Sequence, residues 1–93
     1  MSGEDNDMES ELRVFPNPTH GEFEISFSVE EKDQLDVKLY STTGQVIFED
    51  HKSEYSGIYG KRVNLSGSPV GVYFLSVQVG DVTKVEKVLY NRN

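Results

Sequence analysis

Apolar and polar residues alternate with a period of two along most of the chain after Leu12. Such alternation is typical of β-strands with one buried and one solvated face, and no window shows a sustained helical stripe. The pattern predicts an all-β fold, an antiparallel β-sandwich of two sheets with about seven short strands, similar to immunoglobulin and fibronectin domains. The alternating or apolar runs lie at residues 23–29, 35–39, 46–48, 63–65, 73–79 and 82–90.

The apolar positions of these runs are expected to face one core. The last run is rich in valine, but its alternation is ragged, because Val85 and Leu89 fall on one face and Val82 and Val88 on the other. A bulge or burial on both faces would explain that pattern. The predicted inward set comprises Phe23, Ile25, Phe27, Leu35, Val37, Leu39, Val63, Leu65, Tyr73, Leu75 and Val77.

Glycine and proline residues mark the turns between the predicted strands. Gly44 ends a short polar segment between two runs, and Gly71 begins another run, so both are expected in conformations that a side chain would strain. Gly80 and Asp81 form a two-residue turn signal. Because Pro16 and Pro18 cannot donate to a strand ladder, the chain is expected to leave the sheet there or to run along its edge.

Charge is distributed unevenly along the 93 residues. Residues 1–11 hold five acidic side chains, no basic one and few apolar ones, which predicts a disordered acidic linker followed by a β-sandwich domain at residues 12–93. The whole chain carries 16 acidic and 9 basic residues, a net charge of −7 that argues against nucleic-acid binding. Apolar runs are too short for a transmembrane segment, and the absence of cysteine excludes disulfides and thiolate metal sites.

Candidates for catalysis or metal binding are few. His20 and His51 are expected in loops, without a second histidine at ligand spacing or a serine placed as nucleophile, so no enzyme, catalytic residue, metal or cofactor is predicted. Glu30, Glu31 and Asp33 are expected at a solvated hairpin turn, with calcium binding as the alternative. Tyr55, Ile58 and Tyr59 form a cluster outside the main alternation, which could cap the core or whose aromatic rings could stack on sugar rings.

Four segments of the chain, taken in order, resemble one family. Residues 14–19 (VFPNPT), followed by Gly21 and a strand, resemble the opening Pro-Asn-Pro motif of the type A C-terminal sorting domains of the type IX secretion system, the Por secretion family. Residues 39–46 (LYSTTGQV) look like its hairpin motif, and residues 65–74 resemble its Leu-Ser-Gly and Gly-Val-Tyr segment. The closing strand with Lys84 and Lys87 is similar to its lysine-rich terminal strand.

The resemblance implies a secretion signal without catalysis. Family members follow an N-terminal cargo domain, pass through the periplasm, are read by an outer-membrane translocon and are cleaved by a sortase-like peptidase. The cargo then reaches the cell surface or the medium. The positions that match the family motifs are the candidate sorting residues Pro16, Asn17, Pro18, Gly44, Gly71, Tyr73, Lys84 and Lys87.

The alternative function is that of an accessory β-sandwich in a secreted protein. Such a domain would bind carbohydrate through Tyr55 or Tyr59, or would act as a spacer between other domains. A small enzyme is a third class, but no nucleophile–base pair or metal-ligand set in the sequence supports it.

Overall fold

Five antiparallel strands make up the regular structure of a computed structural model that describes residues 12–92. No helix occurs within that range, so the all-β prediction is confirmed, whereas the predicted number of about seven strands is wrong. The acidic linker predicted at residues 1–11 lies outside the described residues. The strands are β1 (Arg13–Phe15), β2 (Glu22–Ser41), β3 (Val46–Asn64), β4 (Gly71–Val79) and β5 (Val82–Tyr90).

The strands form one hydrogen-bonded sheet organised around the long strand β2. The first half of β2 pairs with β1 and with the end of β3, and the second half pairs with β4 and with the start of β3. β5 then pairs with β4 alone among the five strands. The prediction of two separate sheets is not confirmed, because this pairing links all five strands into a single continuous sheet.

Strand number was overestimated because β2 and β3 each contain two predicted strands. The polar residues 30–34 do not form the expected hairpin turn, and β2 continues through them with every side chain exposed. Between Val29 and Asp33, four residue steps of β2 lie opposite two steps of β3, so the strand bulges there. β3 likewise runs from Val46 to Asn64 and places His51 in a strand, where a loop was expected.

The core lies on one side of this sheet and draws on both halves of β2. Every residue of the predicted inward set is buried, so that prediction is confirmed. Because Val29 and Leu35 belong to the same buried cluster, the bulge between them redirects the strand while the same face stays inward. The buried cluster also contains residues outside the predicted set, namely Val29, Tyr59, Val79, Val88 and Tyr90.

The ragged alternation of β5 comes from its position at the sheet edge. β5 pairs with β4 without any register shift from Val82 to Tyr90, so the bulge expected there is absent. Residues directly opposite in an antiparallel pair share a face. Lys84 lies opposite the buried Val77 and therefore occupies the core side, but its side chain is exposed. Burial on both faces is excluded as well, since Val85 is 55% exposed.

Both glycines singled out in the sequence adopt backbone angles that disfavour other residues. Gly44 has φ of 91° in the turn between β2 and β3, and Gly71 has φ of 140° at the first position of β4. Left-handed values of φ strain a residue with a Cβ atom, so the prediction for both positions is confirmed.

Candidate functional site

The outer edge of β5 is covered over its last third by residues 16–19 (PNPT), called the clamp below. Asn17 binds this edge with both atoms of its side-chain amide. Its Nδ2 donates to the carbonyl of Lys87 at 2.7 Å, and its Oδ1 accepts the N–H of Leu89 at 2.9 Å. The amide thus occupies the place that the peptide group of a neighbouring strand would take.

Thr19 extends the same contact through its backbone. Its N–H donates to the carbonyl of Leu89 at 2.8 Å, and its carbonyl accepts the N–H of Asn91 at 2.9 Å. This exchange forms an isolated parallel bridge with Tyr90. The Thr19 side chain is fully buried, where its hydroxyl donates to the carbonyl of Glu22 at 2.6 Å and accepts the N–H of Gly21 at 3.0 Å. Burial and these bonds hold the clamp in place.

Prolines on either side of Asn17 explain why the clamp does not become a regular strand. Pro16 and Pro18 have no N–H, so neither can contribute a donor to a ladder with β5. The intervening side chain supplies the missing donor and acceptor instead. The chain therefore runs along the sheet edge at the two prolines. Of the two predicted courses, leaving the sheet or following its edge, the second is confirmed.

The rest of the outer edge of β5, residues 83–87, has no other strand of residues 12–92 beside it and is called the open edge below. Because N–H and C=O groups alternate in direction along a strand, the outward contacts of Lys87 and Leu89 fix the direction of the others. The N–H and C=O groups of Thr83 and Val85 and the N–H of Lys87 point away from β4. All five side chains of the open edge are exposed.

Most of the sequence-predicted residues meet near the clamped end of β5. Gly71 pairs with Tyr90, and Tyr73 pairs with Val88 and donates its hydroxyl to the carbonyl of Pro69. Pro16, Asn17 and Pro18 belong to the clamp, and Lys87 contributes its backbone carbonyl.

Gly44 lies at the same end of the sheet, in the turn between β2 and β3. It follows Ser41, which pairs with Tyr73 across β2 and β4. Lys84 is separate from the group, since six residues of strand place it roughly 20 Å from Tyr90. Lys84 and Lys87 also lie on opposite faces, because three residue steps separate them. A role in sorting for each of these residues remains a prediction.

Sequence reasoning missed three residues at this site, Thr19, Leu89 and Tyr90. Thr19 carried a usable signal, because a threonine beside proline and glycine often hydrogen-bonds the nearby backbone. Leu89 takes part through its peptide groups, which any residue type supplies, so its contribution leaves no mark in the sequence.

The aromatic cluster proposed for sugar binding belongs to the core. Tyr59 is 3% exposed, its ring stacks on Phe27 at 5.0 Å, and its hydroxyl donates to Oδ2 of Asp50 at 2.7 Å. Burial raises the pKa of the Tyr59 phenol above its ordinary value, and the hydrogen bond and charge of Asp50 raise it further. Tyr55 is half-buried and meets the Tyr59 ring edge-on at 5.9 Å. The interpretation of the cluster as a core cap is confirmed for Tyr55 and Tyr59 but is wrong for Ile58, which is 78% exposed.

The remaining candidate polar groups lie at the surface of the sheet. His51 Nδ1 lies 2.6 Å from Asp36 Oδ1 on the exposed face of the sheet, and Gln78 is the next residue across the strands. Within residues 12–92, no group of three or more histidine or carboxylate side chains is placed to hold a metal ion. A groove of about 650 Å³ beside the clamp is lined by His20, Pro69, Tyr90 and Arg92 among others.

Comparison with known families identifies the family to which the chain belongs. Residues 13–91 match the family profile described as a secretion system C-terminal sorting domain. A search of curated proteins finds no match to the chain. No helix in the part of the chain described by the structure is long and apolar enough to cross a membrane.

Sorting domains of this kind direct a fused cargo to the type IX secretion machinery, and the cargo is exported to the cell surface or secreted. The match covers all five strands and the clamp. The chain belongs to the family of secretion system C-terminal sorting domains and acts as a sorting signal for type IX secretion.

Proposed function

We propose that this sorting signal is read through the open edge of β5, to which a component of the outer-membrane translocon adds a strand. The observation that carries the proposal is the row of outward groups formed by the N–H and C=O of Thr83 and Val85 and the N–H of Lys87, beside which no strand of residues 12–92 lies. Such groups form backbone hydrogen bonds with an incoming strand in β-augmentation. The exposed Lys84 and Lys87 side chains supply charges that steer the partner.

The clamp supports this role by holding the end of β5 against the domain. Its four hydrogen bonds occupy the outward groups around Leu89, so the strand continues straight past the open edge without fraying. Gly71 and Tyr73 contribute from the other side, because they pair with the same part of β5. In this proposal the family motifs position the strand, and the open edge is what the receptor contacts.

The finer course of export is part of the same proposal. A separate N-terminal signal takes the protein across the inner membrane, and the domain folds in the periplasm, where its lack of cysteine makes it independent of disulfide formation. A sortase-like peptidase then separates it from the cargo. The domain itself performs no catalysis, since it serves as the signal that other proteins read.

Export of a reporter tests the proposal. The 93-residue chain is fused behind a periplasmic reporter in a bacterium that has this secretion system, as wild type and with Val85→Pro. Proline removes an N–H that points away from β4, so the β4–β5 hydrogen bonds remain, and prolines of this orientation are tolerated in edge strands. We expect the wild-type fusion to reach the surface or medium and the Val85→Pro fusion to stay in the periplasm.

Two further fusions make the result specific. Val85→Thr keeps the N–H and a similar side-chain shape, so it should be exported like the wild type. A fusion that ends at Gly80 lacks the buried Val88 and Tyr90 and should be retained because the domain is incomplete. Export of a folded Val85→Pro fusion at the wild-type level would contradict reading by strand addition. Retention of the folded wild-type fusion would favour an accessory domain.

A further inference from the structure

The open edge of β5 is complementary to a second copy of itself. Its sequence, Thr83-Lys84-Val85-Glu86-Lys87, places a basic and an acidic residue on either side of Val85. Outward N–H and C=O groups lie at the odd-numbered positions, as derived above from the contacts of Asn17. Two such strands can form an antiparallel pair only in a register that sets odd-numbered residues of one copy opposite odd-numbered residues of the other.

We propose that two molecules associate through antiparallel pairing of their open edges, around a two-fold axis at Val85. In this register Val85 faces Val85 of the second copy, and Thr83 faces Lys87 of the second copy. Lys84 then lies directly opposite Glu86 of the second copy, and symmetry repeats that contact. Each contact is an opposite-charge cross-strand pair, a type that stabilises antiparallel sheets.

Several observations favour this partner. Lys84 and Glu86 are exposed on the core-side face, and neither takes part in a salt bridge within residues 12–92. Val85 is 55% exposed, and it would be covered by the same residue of the partner molecule. An incoming antiparallel strand with an unrelated sequence would have to carry a basic residue followed two positions later by an acidic one, and a second copy supplies this order through its own Lys84 and Glu86.

The other edges of the sheet are less suited to such pairing. β3 pairs only with β2, but an extra β3 residue between Lys52 and Tyr55 interrupts its register. Irregularities of this kind bend an edge and protect it from strand addition. β1 has only three residues. β5, in contrast, keeps one uninterrupted register with β4 over its whole length.

The clamp limits how far the pairing can extend. The outward carbonyl of Lys87 already accepts a hydrogen bond from Asn17, and the next outward groups, those of Leu89, are bonded to Asn17 and Thr19. On the other side the strand ends at the Gly80–Asp81 turn. The contact is therefore confined to five residues from each copy, which is small compared with stable interfaces, so the association is weak and reversible. It occupies the edge that a receptor would use, but it does not depend on that receptor.

Charge exchange tests the register directly. Association of the purified 93-residue chain is measured by sedimentation equilibrium at increasing concentration and physiological salt. Lys84→Glu alone and Glu86→Lys alone each turn both ion pairs into repulsive pairs, so the dissociation constant should rise about tenfold or more. The double variant K84E/E86K restores opposite charges and should associate like the wild type. A mixture of the two single variants should form heterodimers.

A matched control and a second readout complete the test. Lys32→Glu makes the same charge change at an exposed position of β2, and it should leave the dissociation constant unchanged. The proposal is overturned if the wild-type chain stays monomeric at millimolar concentration, or if K84E/E86K associates as weakly as the single variants. Heterodimers that appear only after unfolding and refolding would indicate exchange of strands instead of edge pairing. The sedimentation assay does not involve export, so a result that overturns the proposed association leaves the proposed function standing.

Discussion

Replacing Asn17 with alanine removes the side-chain half of the clamp. The variant loses the hydrogen bonds from Nδ2 to Lys87 and from Leu89 to Oδ1, while the backbone bonds of Thr19 remain. A typical intramolecular hydrogen bond contributes about 0.5–1.5 kcal/mol of net stability. Both bonds are exposed, so water replaces part of their strength, and we expect a total loss of about 1–2 kcal/mol.

This loss is large enough to measure in two ways. For a domain of this size, 1 kcal/mol lowers the melting temperature by about 4–8 °C, so Asn17→Ala should melt about 5–12 °C below the wild type. The N–H of Leu89 should also exchange with solvent faster than in the wild type, because it loses its acceptor. Asn91→Ala is a matched control, since the clamp uses only the backbone N–H of Asn91. An unchanged melting temperature together with unchanged Leu89 exchange would refute the clamp.

Asn17→Asp adds a pH signature that a nonspecific loss of stability would not produce. The ionised carboxylate can still accept the Leu89 N–H, but its second oxygen faces the Lys87 carbonyl and repels it. The protonated carboxyl can donate to that carbonyl, so the folded state raises the pKa of the introduced group above its ordinary value of about 4. Stability gained from this group is present at low pH and is lost as pH rises through the raised pKa. The free energy of unfolding of Asn17→Asp should therefore approach that of the wild type as the pH is lowered.

Three further predictions concern the core, a turn and a buried phenol. Phe23→Ala should lower the free energy of unfolding by about 3–5 kcal/mol in urea denaturation, whereas Ile58→Ala, at a position 78% exposed, should change it by less than about 0.5 kcal/mol. Gly44→Val should cost about 1–3 kcal/mol because φ is 91° there, and a variant that melts with the wild type would show the turn to be misassigned. Tyr59→Phe should be less stable than the wild type at neutral pH, because it loses the bond to Asp50. Since the folded state raises the pKa of Tyr59, the wild type should lose this advantage above the ordinary tyrosine pKa of 10.0, and a constant difference between the two proteins up to pH 12 would contradict the assignment.

The alternation of residues predicted which side chains form the core but not how many strands carry them. Residues 23–29 and 35–39 show a clear period of two because one face of each is buried. At residues 30–34 both faces are exposed, so the sequence there obeys no alternation and cannot be distinguished from a turn. The strand is continuous because its pairing with β3 resumes at Asp33 after the bulge, and that pairing leaves no pattern in the side chains.

The candidate site was predictable in its residues and unpredictable in its contacts. The family resemblance singled out Asn17, Gly71 and Lys87, which the fold brings to one end of β5. Asn17 and Lys87 are 70 positions apart, and nothing local to either residue indicates which peptide group the amide will bind. Lys84 and Lys87 looked equivalent in the sequence, but the odd spacing between them sends their side chains to opposite faces of β5.

The parallel course of the clamp and the end of β5 has a mechanical consequence. A cargo joined ahead of β1 and a receptor that holds the chain after β5 would pull these two segments in opposite directions along their length. Under such tension the four hydrogen bonds of Asn17 and Thr19 to β5 lie across the direction of pull, so they share the load and must break together instead of opening one after another. A domain with this geometry would resist traction applied at its two ends better than one whose terminal strands separate one hydrogen bond at a time.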